Sequence, residues 1–222
     1  MNHRNEHFFF DGYSLKEETL ASVDNIKSLI NTINEKYFDN HGTIKIIPYF
    51  NGKVKTDGGV SGIIIGPNSH FTCHTFCYKE TLFIDYFGLK DNHDKVKTDI
   101  LKIYPTDDYD LCVDNKDLKG NFGKHIIVSS TNSYTYDEAL SLIKKILVDI
   151  DMTPICDTIT TKISDTCFDL LQPIAESHIS IHQTNDSTVI DAFSCKYFDE
   201  QKLLTILNTH EFLEVNRGVK YK

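Results

Sequence analysis

Apolar residues recur along this chain in two rhythms, one of three to four residues and one of two, and the same order of rhythms occurs twice. The first half opens with an apolar strand, His7 to Asp11. Ser14 and Glu17 have the spacing of a capping box, and Val23, Ile26, Ile30, Ile33 and Tyr37 then form one helical stripe. Four strand-like runs follow, "TIKIIPYF" (43–50), "VSGIIIG" (60–66), "SHFTCHTF" (69–76) and "TLFIDYF" (81–87), and a helix over 94–104 closes the half.

The second half repeats this order. "KHIIVSS" (124–130) reads as a strand, Thr135 with Glu138 as a capping box, and Ile143, Leu147 and Ile150 as the helix stripe. Runs at 154–163, 167–174, 177–183 and 187–194 read as strands, a helix starts near Asp199, and "FLEVNRGVKY" adds an edge strand. Pro105 to Lys119 reads as the connection. Four consecutive strands after each long helix exclude the alternation of a parallel sheet. The pattern predicts an α+β protein: two tandem repeats, 1–110 and 120–222, each an antiparallel sheet with helices on one face. Burying the two free faces against one another gives a four-layer α/β/β/α sandwich.

Composition adds limits to this picture. The chain has 222 residues, no long apolar segment at its start and no run of 18 apolar residues, so we expect a soluble, cytoplasmic protein without a membrane partner. A formal charge of −9 argues against a nucleic-acid partner, which requires clustered Lys and Arg. Six cysteines without a secretion signal read as reduced thiols. His70, Cys73, His74 and Cys77 have a spacing that invites a zinc site. Strand alternation opposes it, because the two histidines share one face and the two cysteines the other. No metal is expected.

The chemistry lies in a repeated segment. "NSHFTCHTFCYKETLFIDYF" (68–87) and "AESHISIHQTNDSTVIDAF" (175–193) both carry Ser-His, a second His four residues after the first, and an Ile-Asp-x-Phe ending. Taken alone, this repetition is explained by duplication of a structural unit.

The surrounding residues say more. "GGVSGIIIGPNSHFTCHT", "ESHISIH…VIDAFSC" and the opening "HFFFDG" resemble S-adenosylmethionine decarboxylase, the pyruvoyl-dependent family of polyamine synthesis. Small bacterial members carry the motif once per subunit and dimerise, whereas eukaryotic members fuse two diverged repeats. The resemblance implies a proenzyme that cuts its backbone before the motif serine, leaving a pyruvoyl group on the new N-terminus. That ketone forms a Schiff base with the substrate amine and acts as an electron sink in decarboxylation. The two chains left by cleavage stay associated.

Carried over residue by residue, the resemblance divides the family's positions between the copies. Glu176–Ser177 supplies the cleavage pair and Cys195 the cysteine, where the first copy has Asn68–Ser69 and Leu89. Ser61, thirteen residues before His74, supplies the upstream serine, whereas the second copy has Asp169. The resemblance thus implies that Ser177 becomes the pyruvoyl group and that His74 handles the proton lost in elimination. It also implies that Ser61 supports the ester and that Cys195 returns a proton to the substrate carbon. Fused eukaryotic members cut the first repeat, so the order here is reversed. His178 and His182 read as strand residues with structural hydrogen bonds.

Phe10 matches the family's adenine-stacking phenylalanine. The family's ribose-binding glutamate is replaced by Tyr78, with Glu80 two residues on, a spacing that on a strand keeps the same face. The implied substrate is S-adenosylmethionine, decarboxylated to the aminopropyl donor of spermidine. The alternatives are a pyruvoyl enzyme for ornithine or arginine and a catalytically dead regulatory paralogue.

Overall fold

The computed structural model describes residues 5–50, 58–113, 123–175, 177–194, 197–209 and 212–217. The chain divides into two units, Met1–Leu118 and Lys119–Arg217. Among the described residues, no helix is long and apolar enough to cross a membrane.

The first unit consists of β1 (Asn5–Gly12), α1 (Glu17–Leu20), α2 (Val23–Tyr37), β2 (Thr43–Tyr49), β3 (Gly59–Gly66), β4 (Ser69–Phe76), β5 (Thr81–Leu89), α3 (His93–Ile103) and β6 (Tyr109–Val113). Its strands form one antiparallel sheet in the order β2-β3-β4-β5-β1-β6. The predicted stripe is the buried face of α2: Ile26, Leu29, Ile30 and Ile33 pack with Phe8, Phe10, Ile64, Phe71, Ile84 and the α3 residues Val96 and Ile100. Burial of each such side chain contributes about 1.5–3 kcal/mol.

The second unit contains β7 (Gly123–Ser130), α4 (Tyr136–Asp149), β8 (Ile159–Ser164), β9 (Cys167–Ile174), β10 (Ser177–Gln183), β11 (Thr188–Ser194), α5 (Glu200–Leu207) and β12 (Leu213–Arg217). Its sheet order is β12-β7-β11-β10-β9-β8. Read from the other end, each strand occupies the place of its counterpart in the first unit. The α+β class, with two antiparallel sheets, is the architecture observed. Thr135 and Glu138 form the predicted capping box on α4, and Asp199 caps α5.

Two expectations are corrected. Ser14 caps no helix: its φ is 56°, outside the extended conformation a cap requires, and its hydroxyl donates to Asp108. The long helix instead starts at Val23, with Ser22 accepting from the Asn25 amide. The segment 105–119 is also more than a connection, because β6 lies within it and pairs with β1. It is the first unit's counterpart of β12, which pairs with β7.

Helices α2 and α3 are joined by a buried carboxylate. Asp99 accepts from Lys36 at 2.9 Å, Lys102 at 2.8 Å and the Tyr37 hydroxyl at 2.8 Å. Burial alone raises its pKa, but these three donors outweigh burial and hold it below the usual carboxylate value. Asp99→Ala is expected to cost about 1–3 kcal/mol, read as a lower urea midpoint with unchanged slope. Because the folded pKa is depressed, this stabilisation is full above about pH 4 and is lost as pH falls through the folded value. Asp99→Asn should flatten that acid limb.

Candidate active site

The strand histidines and their Ser61, Asp85, Asp169 and Asp191 partners lie on the sheet face opposite the helices, because strand alternation separates them from the core positions. On β4, Phe71 and Cys73 enter the helix-packed core while His70, Thr72 and His74 take the other face; all five are buried. The predicted alternation therefore holds for Cys73. Burial raises its thiol pKa and, with Glu17 adding to the effect, that of Cys77, so neither is poised as a thiolate ligand. The four cysteines whose side chains are described are unbridged.

Ser61 and His74 are directly opposed on β3 and β4, and the serine hydroxyl lies 2.9 Å from His74 Nδ1. The thirteen-residue spacing is therefore a cross-strand hydrogen-bonded pair within one hairpin. The second unit keeps the geometry and changes the chemistry. Asp169 opposes His182, and its carboxylate lies 2.7 Å from His182 Nδ1. His182 Nε2 is 3.5 Å from the Ser180 hydroxyl, and all three residues are buried. Asp169→Ala removes the carboxylate that orients His182 and should cost about 1–3 kcal/mol in an unfolding titration.

Ser69 and Ser177 occupy the same structural position. Each opens the second strand of a hairpin, opposite Gly66 and Ile174 respectively. In the first unit the turn is Pro67–Asn68, and Asn68 takes the left-handed conformation (φ 52°) that asparagine tolerates. Ser69 is not among the residues with positive φ, and its hydroxyl donates to the Pro67 carbonyl at 3.3 Å. In the second unit Ser177 itself has φ 152°, a region that a residue with a Cβ occupies only under strain of about 1–3 kcal/mol. Its hydroxyl lies 3.2 Å from His178 Nδ1.

Behind these serines each unit repeats a His-Asp-His cluster, buried apart from the partly buried His7, that motif spacing did not single out. In the first unit Asp85 lies 3.2 Å from His7 Nδ1 and 3.0 Å from His70 Nε2. In the second, Asp191 lies 3.4 Å from His178 Nε2 and hydrogen-bonds His125 Nε2. The signal in the sequence was the recurrence of a His opening each half, a His after each serine and the Asp of Ile-Asp-x-Phe.

The remaining predicted residues are dispersed. Phe10 is fully buried in the helix-packed core and stacks on Tyr109, ring centroids 5.2 Å apart. The inference that Glu80 shares a strand face with position 78 is corrected: β4 ends at Phe76, Cys77–Lys79 forms a 3-10 turn, and Glu80 has φ 52°. Tyr78 is 76% exposed on that turn. Glu176 and Cys195 lie outside the described residues.

Residues 6–103, within the first unit, match the family described as S-adenosylmethionine decarboxylase. No curated protein gives a significant match. Among solved structures, the chain resembles the adenosylmethionine decarboxylase of Aquifex aeolicus VF5 with 16% identity, a TM-score of 0.42, and coverage of 55% of this chain and 99% of that one. A putative glycine cleavage system transcriptional repressor matches at 10% identity and TM-score 0.23, covering 96% of this chain and 99% of that one. Both are distant likenesses.

Proposed function

From the match of residues 6–103 to the S-adenosylmethionine decarboxylase family, we propose that the chain is a self-cleaving proenzyme of a pyruvoyl-dependent decarboxylase. The bond cut is Glu176–Ser177. The observation that carries this reading is the backbone of Ser177, whose φ of 152° concentrates strain at the residue whose hydroxyl would attack. Cutting the bond before Ser177 removes the linkage that defines this angle and releases the strain. Ser69, at the same place in the other hairpin, lacks it.

Ser177 fits the group expected there, being buried, small and first in its strand. Its hydroxyl oxygen attacks the Glu176 carbonyl and displaces its own nitrogen, giving an ester. Loss of the Ser177 Cα proton then expels the Glu176 carboxylate, and water replaces the resulting enamine nitrogen, which leaves as ammonia. The ketone so formed supplies an electron sink for an amine substrate losing carbon dioxide.

The family pattern assigns His74, hydrogen-bonded to Ser61, to the Cα proton and Cys195 to proton return on the substrate carbon. His182, the second repeat's counterpart of His74, is a poor candidate for the Cα proton. Ser177 and His182 stand five residues apart on β10, about 16 Å at 3.3 Å per residue, and His182 is held by Asp169. This separation favours a division of work between the copies.

S-adenosylmethionine is the proposed substrate, and its decarboxylated product serves as aminopropyl donor in spermidine synthesis. A second reading, decarboxylation of ornithine or arginine, is favoured by the exposed Tyr78 at the family's ribose-binding position. Carbon dioxide release from each substrate separates the two. Fully cleaved protein should turn over S-adenosylmethionine; release only from a free basic amino acid would move the assignment to the second reading.

A further inference from the structure

We propose that His178 is the base that takes the Ser177 hydroxyl proton in the first step of self-cleavage, with Asp191 and His125 holding its ring; this rests on the self-cleaving reading above. Adjacent strand residues point to opposite faces, so a serine rarely touches the side chain that follows it. Here the unusual φ of Ser177 accompanies a 3.2 Å approach of its hydroxyl to His178 Nδ1. Asp191, 3.4 Å from His178 Nε2, favours the tautomer with its proton on Nε2. That tautomer leaves the Nδ1 lone pair for the serine hydroxyl. His125 donates to the second Asp191 oxygen and stacks on Phe193, fixing the carboxylate from behind. The series serine, histidine, aspartate follows the logic of an activated nucleophile.

The first repeat provides an internal control. It has the same cluster in His70, Asp85 and His7, but its serine hydroxyl turns to the Pro67 carbonyl. The cluster is common to both copies, and its link to a serine hydroxyl at this position occurs in the copy with the Glu-Ser pair.

The step balances without another reactant. The proton passes from Ser177 Oγ to His178 Nδ1, and Oγ bonds to the Glu176 carbonyl carbon. The bond from that carbon to Ser177 nitrogen then breaks, and the nitrogen receives the proton from His178. The product is an ester with a free amine, and the histidine is restored.

The test follows precursor cleavage over time by intact mass, comparing wild type with His178→Ala and His178→Gln, which keeps a hydrogen-bonding side chain without a base. Both variants should slow cleavage about 10²–10⁴-fold. The uncut junction should resist hydroxylamine, because it remains an amide, and imidazole should partly restore cutting in the alanine variant. Asp191→Asn should slow cleavage in wild type and add nothing in the His178→Gln background. A folded variant at position 178 that cuts at the wild-type rate, or that accumulates a hydroxylamine-sensitive ester, overturns the proposal. Additive slowing by Asp191→Asn removes that residue from its positioning role. Wild-type protein that never cuts instead refutes the self-cleaving reading itself.

Discussion

Purified protein is expected to separate on denaturation into two chains, residues 1–176 and 177–222, and Ser177→Ala is expected to remain one uncut chain. The difference should be all or none, because alanine lacks the oxygen that must bond to the Glu176 carbonyl. Converting an amide to an ester runs uphill, so this step needs both an activated hydroxyl and a destabilised starting bond. The strained φ of Ser177 offers about 1–3 kcal/mol of the second requirement, and the His178 contact addresses the first. Ser69→Ala should leave cutting intact, since Ser69 has neither feature. Borohydride treatment of the 177–222 chain should add the mass of two hydrogens at a reducible ketone. A single uncut species under conditions that permit processing would refute all the decarboxylase readings at once. Cutting before Ser69 would reverse the roles of the repeats.

Strand and helix positions were legible because burial imposes period two on β3–β5 and β9–β11 and a helical stripe on α2 and α4. Two features depend on contacts that periodicity does not encode. Ser14 and Glu17 have the letters of a capping box, yet Ser14 is held by Asp108, far along the chain. Strand β6 sits in a polar stretch, and its identity comes from pairing with β1.

The site was legible in part for the same reason. Ser61 and His74 were identified by spacing, and the spacing is that of directly opposed partners across a hairpin. Asp169 read as a missing serine, whereas it is a replacement partner for His182. His178 read as a structural strand histidine. Alternation assigns it to the face opposite Ser177, and only the backbone angle of Ser177 shows how the hydroxyl reaches it. The same limit governed Glu80: its distance in residues from Tyr78 was right, but a turn removed the geometric meaning of that distance.

His74→Ala is expected to separate the two steps of self-processing. If His74 takes the Cα proton, its loss leaves the acyl shift intact and stops elimination, so the chain equilibrates between amide and ester at position 177. Hydroxylamine should then cut this variant, giving a hydroxamate on Glu176 and a second chain that begins with serine and resists borohydride. Spontaneous formation of the ketone should fall about 10²-fold or more. Ser61→Ala removes the hydroxyl 2.9 Å from His74 Nδ1 and should produce the same trapped species in smaller yield. Asp169→Ala, which disturbs His182, should leave processing at the wild-type rate. Normal ketone formation in His74→Ala, with loss of it in a His182 variant, would confine the chemistry to the second repeat. Paired with the His178 variants, which should block the earlier step and resist hydroxylamine, the experiment assigns one proton transfer to each histidine.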